Sequence, residues 1–292
     1  MANQKIFREA CLLQLSATCW GADKSLPPTQ MEEVGNSEWI KGRKFLINPD
    51  QLNPIKAVIG RGRVMLKKHA LPFPISGLLL VPKTIITDIQ SNLESLRHEY
   101  QASVATFVQG YPLARTEAQL ALGPLFEETD YPLDIRSRFK FDWRFLTIDF
   151  PGKNKILPPH IYEEELRKFR SMVEESRLMA VTALREEFAK TVAHMTGRLS
   201  GNADGRPKKI RASMLENLRE FLDSFDNRNL FEDDRLADLV NQTRDIIAGI
   251  NTDHLKDDET LRTQIVHEMG SVETAILESL EDLPRRKLRL AA

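Results

Sequence analysis

PPHIYEEELRKFRSMVEESRLMAVTALREEFAKTVAHMTGRLS, residues 158–200, decides the fold. Apolar side chains fall at Leu166, Phe169, Val173, Ala180, Leu184, Phe188, Val192, Met195 and Leu199. Steps of three, four and seven place them in one stripe along one side of a helix. The helix predicted over His160–Leu199 is roughly 60 Å long at about 1.5 Å per residue. A second stripe follows at Leu261, Ile265, Met269, Val272, Ile276, Leu280 and Leu283. Further helices are expected over about 212–226, 233–250 and 257–282. Ser213 with Glu216 fits a capping box, and Asp233, Asp234, Asp257 and Asp258 place negative charge near helix starts. The stripes must be buried against one another or against a partner, so residues 156–292 read as a helical bundle or coiled coil.

Outward from that stretch, the first half is mixed. Residues 10–20 alternate as a half-buried strand does, with Cys11, Leu13, Leu15, Ala17 and Cys19 on one side. Residues 45–71 read as a helix with Pro54 near its first turn, weakened in the middle by Gly60 and Gly62. Ile75–Val81 is a short apolar run between prolines and reads as a buried strand. A helix over about 84–109 is expected to stop at Gly110-Tyr111-Pro112, with a second helix over 113–127 folding back against it. Residues 138–150 alternate again, as one long or two short strands. Pro151-Gly152 and Pro158-Pro159 bracket a junction. The expected architecture is α+β, predominantly α. It comprises a small antiparallel sheet with an inserted helical hairpin, 84–127, within residues 1–155, and a long-helix bundle over 156–292.

Composition narrows the function classes. The 292 residues carry 41 Lys plus Arg against 42 Asp plus Glu, a formal charge of -1. That balance supplies no global drive toward nucleic acid or an anionic membrane. Two cysteines are too few for a disulfide framework and point to a reducing compartment. MANQKIFREA lacks the apolar core of a secretory signal, and no run approaches the roughly 20 apolar residues of a membrane span. A cytoplasmic protein with no membrane partner is expected.

Chemistry-bearing patterns are sparse. His69, His98, His160, His194, His254 and His267 are scattered, none three or four residues from another, which argues against a metal site. The carboxylates at 163–165, 174–175 and 257–259 lie among Lys and Arg on helices, where solvated i,i+4 faces are the ordinary outcome. G-x-S-x-G, Walker A and G-x-G-x-x-G patterns do not occur. The expectation is therefore a protein without catalytic residues, cofactor or metal. Trp20, Trp143, Phe139, Phe141 and Phe145 could line a pocket, but alternating strands meeting helices more often bury such residues in a core.

The polar candidates are three basic clusters: Arg61, Arg63, Lys67 and Lys68; Arg206, Lys208, Lys209 and Arg211; and Arg285, Arg286, Lys287 and Arg289. Each set suits a partner contact or phosphates. The glycine-containing turn 200–211, at the expected tip of the long helix, is the preferred partner contact. Two function classes follow. One is a scaffold binding other proteins, with homo-oligomers included. The other is a nucleic-acid-associated protein gripping phosphates through basic turns and tail.

Several landmarks resemble one family. They are CLLQLSATCWGADKSLPP (11–28), FLINPDQLNPI (45–55), FPISGLLLVP (73–82) and RSRFKFDWRFLTID (136–149). In this order they resemble an uncharacterised bacterial and phage family, domain of unknown function number thirty-one fifty. Residues 218–250 and 257–265 also fit its C-terminal helices, so the resemblance spans almost the whole chain. It implies a protein of phages, plasmids or integrative elements, encoded near a MoxR-type AAA+ ATPase and a von Willebrand factor A protein. It further implies an accessory, non-catalytic subunit of an ATPase-linked defence, counter-defence or mobile-element system. It supplies no site residues.

Overall fold

The computed structural model describes residues 8–27, 41–148, 157–201 and 210–282. Among the described residues six strands form: β1 (Ala10–Thr18), β2 (Asp23–Ser25), β3 (Arg43–Phe45), β4 (Leu71–Pro72), β5 (Leu78–Pro82) and β6 (Lys140–Leu146). The helices are α1 (Asn53–His69), α2 (Ile86–Leu122), α3 (Pro159–Leu199), α4 (Ala212–Arg228), α5 (Asp234–Ile246), α6 (Thr252–Asp257) and α7 (Glu259–Glu281). One sheet runs β4-β5-β1-β6 and a smaller one pairs β2 with β3. β4 and β5 are antiparallel with Leu71 opposite Leu80, and β2 and β3 are antiparallel with Lys24 opposite Lys44. The molecule is α+β and predominantly helical, as its hydrophobic periods predict. In β1 the first four residues are buried on both faces and Gln14–Ala17 are all half-buried, so burial grades along the strand instead of alternating as expected.

The chain forms two compact units. One comprises Met1–Leu13, Lys68–Ile85 and Phe145–Ala292; the other comprises Gln14–Lys67 and Ile86–Arg144. The chain therefore passes between units within β1, near the end of α1, at the start of α2 and within β6. Sequence punctuation marks a single junction near residue 155.

In the first unit α3, α4, α5 and α7 share one core with Leu71, Phe73 and Leu80 of the β4–β5 segment. Phe188 is fully buried and stacks on Phe221 at 5.0 Å between centroids with 8° between ring planes. Ala180, Leu184, Val192, Met195 and Leu199 of the long stripe are all buried. The C-terminal end of α3 is therefore packed. The N-terminal end runs on, with Val173 the first buried residue of the helix; residues 202–209 of the expected tip at 200–211 lie outside the described residues. Asp233 caps α5 through the Leu236 amide, Asn251 caps α6, and Asp258 caps α7 through the Leu261 amide. Ser213 does not cap. α4 begins at Ala212 behind Arg211, which places Ser213 inside the first turn, and no side chain caps that end. α6 is not separable from its neighbours by periodicity, being only 6 residues long.

In the second unit α1 turns Ile55, Val58, Ile59, Gly62 and Leu66 inward. Gly62 brings the helix close to its neighbours: a methyl there would sit 3.4 Å from the Phe141 ring and 3.7 Å from Leu96 Cδ1. The expected hairpin over 84–127 is instead one helix. α2 runs 37 residues straight through Gly110-Tyr111-Pro112. Proline inside a helix costs about 3 kcal/mol through a lost hydrogen bond and a clash. Here Tyr111, Ala114 and Ala118 are buried on the same face as Val104 and Phe107. Tyr111 also meets Trp20 edge-on at 5.8 Å. Each large side chain so buried contributes about 1.5–3 kcal/mol, enough to carry the helix past the proline. No helix among the described residues is long and apolar enough to cross a membrane.

Candidate functional site

The basic cluster on α1 is the one sequence-derived candidate site that falls well within the described residues. α1 carries Lys56, Arg61, Arg63, Lys67 and Lys68 and no Asp or Glu. Arg61 pairs with Glu99 of α2, and Lys68 pairs with Glu220. Both pairs are about half exposed, and such pairs contribute little, about 0–1 kcal/mol. Lys56, Arg63 and Lys67 are exposed. Val64, on the same outer surface, is 57% exposed. Arg211 is exposed at the N-terminus of α4, where its carbonyl accepts from the Met214 amide. Arg206, Lys208, Lys209, Arg285 and Arg286 lie outside the described residues, as do Lys287 and Arg289. The structure thus brings Arg61 and Arg63 together on one helix and gives Arg211 a separate place in the other unit.

Charged groups that the sequence did not single out are the most buried ones. Lys44 is 5% exposed. Its Nζ donates to the Leu125 carbonyl at 2.7 Å and lies 2.8 Å from Asp130 Oδ2. Lys24 pairs with Asp130 from the adjacent strand. Burial alone would raise the Asp130 carboxyl, but hydrogen bonds from Lys24 and Lys44, with their charges, hold it below the ordinary carboxylate range. The same hydrogen bond raises Lys24 above the ordinary lysine value. Next to this cluster the Tyr131 ring stacks on Phe126 at 4.9 Å, and the Arg115 guanidinium lies 5.4 Å from its centroid. Burial pushes the Tyr131 and Tyr111 phenols upward.

In the first unit, Arg185 donates twice to Asp233, at 2.8 and 2.9 Å, and also reaches the Ser279 carbonyl. It thus ties α3 to the α5 cap and to α7. Arg228, 2% exposed, pairs with Glu187 and lies 5.8 Å from the Phe221 ring centroid. Thr196 donates to Glu273 at 2.8 Å. The period-based reading missed all of these because the partners are 41 to 94 residues apart. The only local signal was Asp233 at a helix start.

Aromatics and sulfurs behave as core. Trp20 and Phe139 each pack on Phe107, and Phe141 packs on Tyr100 and Trp143. The Trp143 indole donates to Gln90 at 2.8 Å. Cys11 and Cys19 are free thiols, and burial raises both. Among the described residues no group of three or more His, Cys, Asp or Glu is placed to hold a metal ion.

These observations define a predominantly helical α+β protein in which buried cations tie helices and strands together and a surface helix bears an unbalanced positive charge. The chain belongs to the DUF3150 family, described as "Protein of unknown function", whose profile matches residues 7–199. The match ends at the last residue of α3, so α4–α7 lie beyond it, whereas the resemblance read from the sequence reaches almost the whole chain. No curated protein and no solved structure shows significant similarity to the chain.

Proposed function

We propose that this protein is a non-catalytic scaffold that binds other proteins. In this reading it is the accessory subunit of a phage or mobile-element system that includes a MoxR-type AAA+ ATPase and a von Willebrand factor A protein. The supporting observation is the length of α3. About four turns, Pro159 to Met172, precede its first buried residue, and Ile161 there is 37% exposed. A helix stabilised only by its own core gains little from such an extension, because helical stability comes mainly from packing of the apolar face. Tyr162, Leu166, Phe169 and Met172 are half-buried there, and a partner lying along those turns would cover what stays exposed, Ile161 included. The buried cations support the same reading, since Arg185, Arg228 and Lys44 are engaged with carboxylates and carbonyls that hold helices and strands in place.

Co-expression with a MoxR-type AAA+ ATPase and a von Willebrand factor A protein tests this. A complex of defined mass by light scattering is expected. Elution of the chain alone, as a monomer, with both candidates present would sink the proposal.

A further inference from the structure

The outer face of α1 has a pattern that folding does not require. At about 100° per residue, Ala57, Gly60 and Val64 fall in one line along the helix, opposite the buried Ile55, Ile59 and Leu66. Lys56, Arg63 and Lys67 form a row along one flank of that line; Arg61, paired with Glu99, stands on the other, and Lys68, paired with Glu220, closes the line one turn after Val64. Val64 is 57% exposed.

Gly60 is the telling residue. Glycine weakens a helix interior relative to alanine. Gly62 has a reason, the Phe141 ring beneath it; Gly60 has none, for an added methyl would meet nothing within 4 Å. Gly110, Gly197 and Gly270 are open in the same way. What sets Gly60 apart is its place beside the row of Lys56, Arg63 and Lys67 and next to the exposed Val64. A bare stretch of backbone there admits close approach from outside.

We infer that this face of α1 docks an acidic amphipathic helix of a partner protein, with a narrow apolar ridge seated on Ala57, Gly60 and Val64 and carboxylates set against Lys56, Arg63 and Lys67. The inference rests on the protein-binding reading above and names the chemistry of one contact. Charge complementarity selects the acidic flank, because α1 has no acid and its exposed Lys56, Arg63 and Lys67 stand apart from Arg61 and Lys68, which pair with Glu99 and Glu220. The apolar centre selects protein over nucleic acid. A phosphate backbone gains from the cations but nothing from burying Val64, and it makes no use of a missing side chain at Gly60.

A synthetic helix-forming peptide of about eighteen residues, with alanine and leucine along one face and glutamate on both flanks, serves as the probe in fluorescence anisotropy with the full chain. It should bind the wild-type chain. Binding should weaken at least about tenfold with Lys56→Glu, Arg63→Glu and Lys67→Glu combined. It should weaken at least about tenfold again with Gly60→Gln alone, which leaves the charge unchanged and adds helix propensity. Circular dichroism confirms that each variant is folded. Failure of the peptide to bind, indifference to Gly60→Gln, or tighter binding of a DNA duplex of matched charge would each overturn the inference. A native complex that forms equally well with both variants would refute this face while leaving the scaffold reading intact. Peptide binding in the absence of any native complex would do the reverse.

Discussion

The two units solve the same problem with different materials. The α3–α7 core is a seam of aliphatic side chains centred on stacked Phe188 and Phe221, with its charged pairs at Arg185 and Arg228 bridging helices. The other unit closes on aromatic side chains around Trp20, Phe107 and Tyr111, and on a buried lysine held by Asp130. The first arrangement depends chiefly on area removed from water, with the Arg185 and Arg228 pairs added to it. The second depends partly on charges and phenols that titrate, so the units should fail under different conditions.

Phe188→Ala probes the aliphatic seam most directly. The side chain is fully buried and its stacking partner Phe221 would face a cavity. A loss of about 3–5 kcal/mol is expected. Urea denaturation gives the magnitude, and hydrogen exchange gives the location. Protection should fall across α3, α4 and α7 and persist in the middle of α2. Equal loss in both units would show that they unfold as one and would erase the comparison.

Lys44→Met tests the other unit. It leaves Asp130 buried with Lys24 as its remaining cation, and should cost about 3 kcal/mol, the low end for breaking a buried pair. The pH dependence has a definite sign. Asp130 is held below its ordinary value in the folded state. Its pairing therefore stabilises fully above the unfolded carboxyl value of about 3.9, and the contribution fades as pH falls through the folded value. Acid titration followed by Trp fluorescence should show this limb in the wild type and a shallower one in Lys44→Met. An identical acid limb would remove Lys44 from the account.

The legibility of the fold follows the same division. The long stripe from Val173 to Leu199 could be read because each buried residue recurs at helical spacing, and the Asp233 and Asp258 caps because their signal is local. The Lys44–Asp130 pair joins residues far apart in the chain and leaves no trace in a periodic pattern. The basic helix α1 was legible as a cluster, but its outer ridge needed the inward direction of Phe141 to separate Gly62 from Gly60. Pro112 is the instructive failure. A local helix-breaking signal was overridden by burial on both sides of it, which only the tertiary contacts of Tyr111 disclose. Pro112→Ala restores a donor toward the Val108 carbonyl, four residues back along α2, and should stabilise the unit by up to about 2 kcal/mol. That is less than the full proline penalty because the helix has already adapted. A drop in melting temperature would mean that the proline shapes α2 in a way its neighbours need.

Tyr100→Phe has the smallest expected effect and separates the units most cleanly by pH. The Tyr100 hydroxyl donates to the Thr18 carbonyl at 2.5 Å and its ring packs on Phe141 at 5.3 Å. Burial, with the nearby Cys19 thiol, pushes its pKa up to about 12. The unfolded phenol titrates near about 10. The neutral phenol therefore stabilises the fold fully below about pH 10, and that contribution is lost as pH rises toward the folded value. Removing the hydroxyl should cost about 1 kcal/mol at neutral pH, the ordinary worth of one hydrogen bond. It should also flatten part of the alkaline limb, with Tyr111 and Tyr131, which burial raises too, carrying the remainder. The Phe188→Ala variant, weakened in the other unit, should keep the alkaline limb unchanged. If Tyr100→Phe leaves the limb between about pH 10 and 12 as steep as in the wild type, the phenol is not what makes this unit alkali-sensitive.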